Sequence, residues 1–266
     1  MRSKKVMTFE QWVFGTIDNP PIQGQWGPLH IATMLISIAC IVGFYFLVKH
    51  VQNKELTKKI IVITLASLIF FFELTSRIVY FLMNHLELGN FSVLWILLPK
   101  PWCAISCWVL MAAVVVNKRF FYNFASLSAL LCSLVYFSYP GVGFNNEYIL
   151  YFNLYSIVTH ALLLTTSITF IVLGFTKFEY KGIWKVAICF AATFLYAFFE
   201  IFVLKIERDP LYFMPNGDIQ AGILRISYGL YLFLYITVML IYINVFYLVQ
   251  DRKNVKSFFA KILKKA

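Results

Sequence analysis

Eight residues that ionise or act as nucleophiles lie inside or at the edges of long apolar stretches: His30, Glu73, Arg77, Lys100, Cys103, His160, Glu200 and Arg225. A charge at the centre of a bilayer costs about 3 kcal/mol or more, so a chain that keeps several there uses them. Cys103 and His160 are a thiol and an imidazole, the pair from which a nucleophile and a general base are made. His30 follows Trp26-Gly27-Pro28-Leu29, a turn that leads into an apolar stretch. Glu73 and Arg77 are spaced i,i+4, so they share one helix face in the favourable order. That spacing serves a structural ion pair, or leaves Arg77 as a ligand for a phosphate or carboxylate. Glu200 sits among Tyr196, Phe198, Phe199 and Phe202. It is a candidate partner for Arg225, or a proton carrier if left unpaired.

These residues need elements to hold them, and composition says which. Of the 266 residues, 61% are hydrophobic, 19% aromatic and only 13% charged, and the mean hydropathy is +0.77. Soluble domains carry about 25% charged residues. Continuous apolar runs of about 20 residues are transmembrane helices, not the alternating strands of a barrel. The sequence therefore predicts an all-α, polytopic membrane bundle with seven transmembrane helices. The expected spans are 28–48, 60–83, 92–116, 122–139, 148–174, 186–204 and 223–249. Residues 1–27 read as an interfacial segment and 28–249 as the seven-helix domain. Pro99 and Pro101 break the first third of span three, so its regular helix is expected near Trp102.

Basic residues concentrate in 49–59, 117–121, 175–185 and the tail 250–266. By the positive-inside rule these lie inside, which puts the N-terminus outside and the C-terminus in the cytoplasm of a cell-membrane protein. The net charge of +11 is thus a topology signal, and nucleic acid is not the expected partner. In the tail, Arg252, Lys253, Lys256, Lys261, Lys264 and Lys265 alternate with Phe258, Phe259, Ile262 and Leu263. That pattern fits an amphipathic segment on an anionic leaflet. Membrane lipids are the expected partners. The cysteines suggest neither a disulfide framework nor a metal site, and no cofactor is expected.

Counting depth along alternating spans gathers the polar residues. His30, Arg77, Lys100, Cys103, Glu200 and Arg225 fall near one end of their spans. Glu73 lies near mid-span, and His160 is roughly 18 Å into span five at 1.5 Å per residue. The reading is a pocket in the outer half of the bilayer. Glu73, Arg77, Lys100, Glu200 and Arg225 are its candidate substrate-binding residues.

Several short motifs occur in order over Trp26–Val249. They are Trp26-Gly-Pro-x-His30, Leu98-Pro99-x-x-x-Cys103, Ser138-Tyr-Pro-x-x-Gly-Phe144, Phe152 with Thr159-His160, and Leu211-Tyr-Phe-Met-Pro215. In these the chain resembles the YwaF-type seven-span integral membrane proteins. Their eukaryotic relatives include a cysteine-dependent phospholipid acyltransferase. The resemblance implies His30, Cys103 and His160 as catalytic residues and a lipid acyl ester as substrate. The chain departs from the pattern at Pro101, where the family has histidine, and at Ala161, where it has glycine. Two other functions fit the same pocket. One is a transporter or binding component for a small anionic or amphiphilic solute. The other is a non-catalytic membrane scaffold.

Overall fold

The computed structural model describes residue 13 and residues 26–88, 98–99, 102–138, 150–205, 211–215 and 224–252. Lys100, Pro101, most of 1–27 and the tail beyond Arg252 lie outside these. The described part is all-helical. Its helices are α1 (Pro28–His50), α2 (Lys54–Leu88), α3 (Trp102–Val116), α4 (Arg119–Ser138), α5 (Tyr151–Val172), α6 (Ile183–Phe198) and α7 (Tyr228–Gln250). A 3₁₀ turn, Tyr180–Gly182, leads into α6, and a π-helical segment, Phe199–Leu204, extends it.

Local chemistry sets the ends. Pro28 opens α1 at a position whose N–H would have no helical partner. Helix α2 starts earlier than hydropathy suggests, because Asn53 caps it: its Oδ1 accepts from the Leu56 N–H at 3.1 Å. Its lysine-rich first turns extend beyond the apolar span. Helix α5 ends in a Schellman motif. Phe175 N–H reaches the Phe170 carbonyl at 3.0 Å and Gly174 N–H reaches Ile171 at 3.1 Å. Gly174 takes φ +81°, the left-handed value this motif requires. Helix α7 begins at Tyr228, five residues inside the expected span.

Six helical stretches are long and apolar enough to cross a membrane, and Trp102–Val116 is shorter. At 15 residues it is about 22 Å long, less than the hydrocarbon thickness of about 30 Å. The helices α4 and α5 form the centre. They pack on each other and on α3, and α1 and α2 lie against α5. Of the apolar window of α4, 67% is buried; for α7 the share is 17%. Peripheral α1, α6 and α7 present Leu35, Ile36, Leu195, Phe202, Phe233 and Ile241 outward. A continuous apolar surface on this scale is unstable in water and suits acyl chains.

Polar side chains lock the centre. Trp102 Nε1 donates to Ser128 Oγ at 2.9 Å, and Ser106 and Ser128 hydroxyls are 2.8 Å apart. Asn123 clamps Lys177 from both sides: its Nδ2 donates to the Lys177 carbonyl at 2.8 Å and its Oδ1 accepts from the Lys177 N–H at 2.9 Å. Asp251 at the end of α7 accepts from the Tyr180 N–H at 2.7 Å, tying the α6 entry to α7.

Candidate functional site

The site is built around the non-helical entry to α3. Backbone outside a helix cannot face lipid at membrane depth without partners for its carbonyls. Arg77, late in α2, donates from Nη1 to the carbonyl of Leu98. Tyr196, late in α6, places its hydroxyl 3.2 Å from the next carbonyl, that of Pro99. Side chains of two helices thus hold consecutive peptide groups just before Cys103.

Each holder is itself anchored. Arg77 and Glu73 form the i,i+4 pair, with Nε and Nη2 both 2.5 Å from Glu73 Oε1. Both residues are buried. The second oxygen of Glu73 accepts from the Tyr155 hydroxyl of α5. Arg77 is therefore committed to Glu73 and Leu98, which is the structural side of the two readings its spacing allowed. Tyr196 and Glu200 are also i,i+4, and the hydroxyl lies 3.0 Å from Glu200 Oε1. Glu200 is fully buried at the start of the π-helical segment. Such segments are frequent at functional sites.

Cys103 occupies the second position of α3, half-buried. Its helix packs against α2, which carries Glu73 and Arg77. Tyr155 of α5, which donates to Glu73, and Tyr136 of α4 are also at this end of the bundle. Tyr136 in turn stacks on His160, with ring centroids 3.7 Å apart and planes at 7°. His160 Nδ1 is 2.7 Å from the Ser156 carbonyl. A carbonyl only accepts, so Nδ1 carries the proton and Nε2 presents a lone pair. Among the described residues no hydrogen bond joins Cys103 to His160.

His30 adjoins through the neighbouring ring. It is fully buried and stacks on Phe137 at 5.7 Å and 8°, with Trp26 at 4.8 Å on another side. Phe137 and Tyr136 meet edge-on at 5.4 Å. The rings of Trp26, His30, Phe137, Tyr136 and His160 thus run in one contiguous series from α1 through α4 to α5. Arg225 stands apart. It is exposed ahead of α7 at φ +51°, and no described carboxylate, Glu200 included, pairs with it. The candidate Glu200–Arg225 pair is not formed; Glu200 accepts from Tyr196, and Arg225 lies ahead of the α7 start at Tyr228.

No family model, curated protein or solved structure matches this chain. The site must be read from its own geometry. That geometry joins Cys103, Glu73, Arg77, His160 and Glu200 at one end of the bundle, with His30 beside them. It adds Tyr136, Tyr155 and Tyr196. Of these only Tyr196 had a sequence signal, its i,i+4 spacing to Glu200. Among the described residues no group of three or more His, Cys, Asp or Glu side chains is placed to hold a metal ion.

Proposed function

We propose that this chain is a seven-span membrane protein that transfers acyl groups between amphiphilic lipids, with Cys103 as nucleophile and His160 as general base. The observation that carries it is the fixed tautomer of His160, stacked on Tyr136 with Nδ1–H spent on the Ser156 carbonyl and the Nε2 lone pair left as a proton acceptor. The YwaF-type resemblance points to the same residues. In this reading the Cys103 thiol passes its proton toward Nε2 as sulfur attacks the ester carbonyl. The lipid alkoxide leaves with that proton, and a thioester remains on Cys103. An acceptor hydroxyl then attacks the thioester, gives its proton to His160, and the thiol is re-formed. The closing of Cys103 on His160 accompanies substrate binding, as catalytic hydrogen bonds often tighten only in the complex. His30 would orient the aromatic series. Arg77 and Glu200 would hold the α3 entry through the Leu98 and Pro99 carbonyls.

The test is incubation of purified protein with an alkyne-tagged phospholipid. A hydroxylamine-sensitive label should appear on the parent chain and vanish in Cys103→Ala. His160→Gln should slow labelling about 100-fold or more, the usual contribution of a general base. Equal labelling of Cys103→Ala removes the acyl-enzyme mechanism.

A second reading, solute binding or transport without bond formation, draws on buried Glu200 at the π-helical end of α6. It requires flux that survives Cys103→Ala and is lost in Glu200→Gln.

A further inference from the structure

The opposite end of the bundle holds a cleft of about 230 Å³ between the start of α2, the α3–α4 turn and the end of α5. Its walls include Glu55, Lys58, Asn117, Arg119, Tyr122 and Phe175. The two cations come from different helices and flank one opening. The floor is aromatic: Tyr122 is buried and its ring meets Phe175 at 5.3 Å. Asn117, at φ +51°, and Gly174, at φ +81°, form the tight turns on either side. These turns bring α4 and the end of α5 close enough to enclose the space.

We propose that this cleft is a binding site for the phosphate headgroup of an anionic phospholipid. The chemistry is a phosphodiester held by Lys58 and Arg119, with its glycerol and first acyl carbons over Tyr122 and Phe175. Lys58 is now satisfied by Glu55, at 2.8 Å. Glu55 is 78% exposed and Lys58 only 26%. An exposed pair of this kind contributes little stability, so a phosphate displaces the carboxylate while the lysine stays in place. Arg119 forms no salt bridge among the described residues, its nearest acidic influence being the more distant Glu179, and it lines the same cleft. Charge favours lipid over any neutral occupant. This end also carries Lys54, Lys59, Lys118, Lys177 and Lys185, and a basic recess between transmembrane helices at headgroup depth is the usual setting for anionic lipids. The site is separate from the cluster around Cys103 and does not depend on acyl transfer.

The experiment is native mass spectrometry of the full chain released from nanodiscs of phosphatidylcholine mixed with phosphatidylglycerol, with inorganic phosphate added in a parallel arm. One phosphatidylglycerol should be retained in preference to phosphatidylcholine. Retention should fall roughly fivefold for each cation removed in Lys58→Gln and Arg119→Gln. Glu55→Gln should raise it, because the competing carboxylate is gone. Lys181→Gln, an exposed cation outside the cleft (86% exposed), should leave it unchanged. Equal retention of the two lipids overturns the proposal. So does an equal loss in Lys181→Gln, which would mean diffuse charge attraction. Binding of free phosphate without retention of phosphatidylglycerol overturns it as well, by assigning the cleft to a soluble anion.

Discussion

Arg77 takes the structural one of the two roles its spacing allowed. Its i,i+4 spacing to Glu73 put the two on one face, but spacing is silent about what lies across from that face. Across from it lie the Leu98 carbonyl and the Tyr155 hydroxyl. Both charges are buried, so removing one strands the other. Arg77→Met should lower stability by about 3–5 kcal/mol. The double replacement Glu73→Leu with Arg77→Met should recover part of that loss. Thermal unfolding in detergent measures both, and a single variant that melts with the parent would rule out a structural pair. Tyr136 is the opposite case. Nothing about a tyrosine near the end of an apolar span marks it, and only the fold lays its ring on His160. Its replacement by Leu should reduce acylation of Cys103 while leaving the Glu73–Arg77 pair intact, a split readable as lost labelling with little change in melting.

Among the elements, α3 is the instructive one. Proline at 99 and 101 predicted a late helix start; Leu98 and Pro99 are non-helical, and the described part of α3 runs from Trp102. Sequence did not reveal how the short helix tolerates a non-helical approach. The answer is that α2 and α6 each send one side chain to satisfy its carbonyls. Arg77 of α2 and Tyr196 of α6 are therefore the complement of the non-helical residues Leu98 and Pro99. Helix α5 offers a cleaner test of local reading. Its end at Gly174 was legible because glycine after an apolar run is the common left-handed stop. A Cβ there would meet nothing within 4 Å, so the effect of Gly174→Ala is backbone strain alone. It should cost about 1 kcal/mol, measured as a modest drop in melting temperature, with acylation unchanged.

For the whole molecule, the lipid-facing surface and the basic end follow from composition. Apolar residues coat α1, α6 and α7, and the lysines gather at the end opposite Cys103. The number of crossings is a separate quantity. Six stretches have spanning length and α3 is shorter. If α3 together with its held approach crosses, the termini lie on opposite faces. Reporter tags on the two termini and in the 51–53 loop should then place the C-terminus and that loop on one side and the N-terminus on the other. Termini on the same side would mean an even number of crossings.

The sequence by itself determined that the chain is all-helical with helices long and apolar enough to cross a membrane, roughly where six of them run, and that His30, Arg77, Cys103 and Glu200 fall near the same ends of their helices. Those features depend on local hydropathy and on the strict alternation of antiparallel spans, which a linear chain already encodes. Tertiary structure alone decided which of those residues touch. It turned Arg77 inward to a carbonyl, gave Glu200 a tyrosine in place of Arg225, and joined His30 and His160 through two rings of α4. Depth along a span is set by counting residues, but the direction a side chain faces depends on how neighbouring helices rotate and pack, and that information is spread over the whole chain.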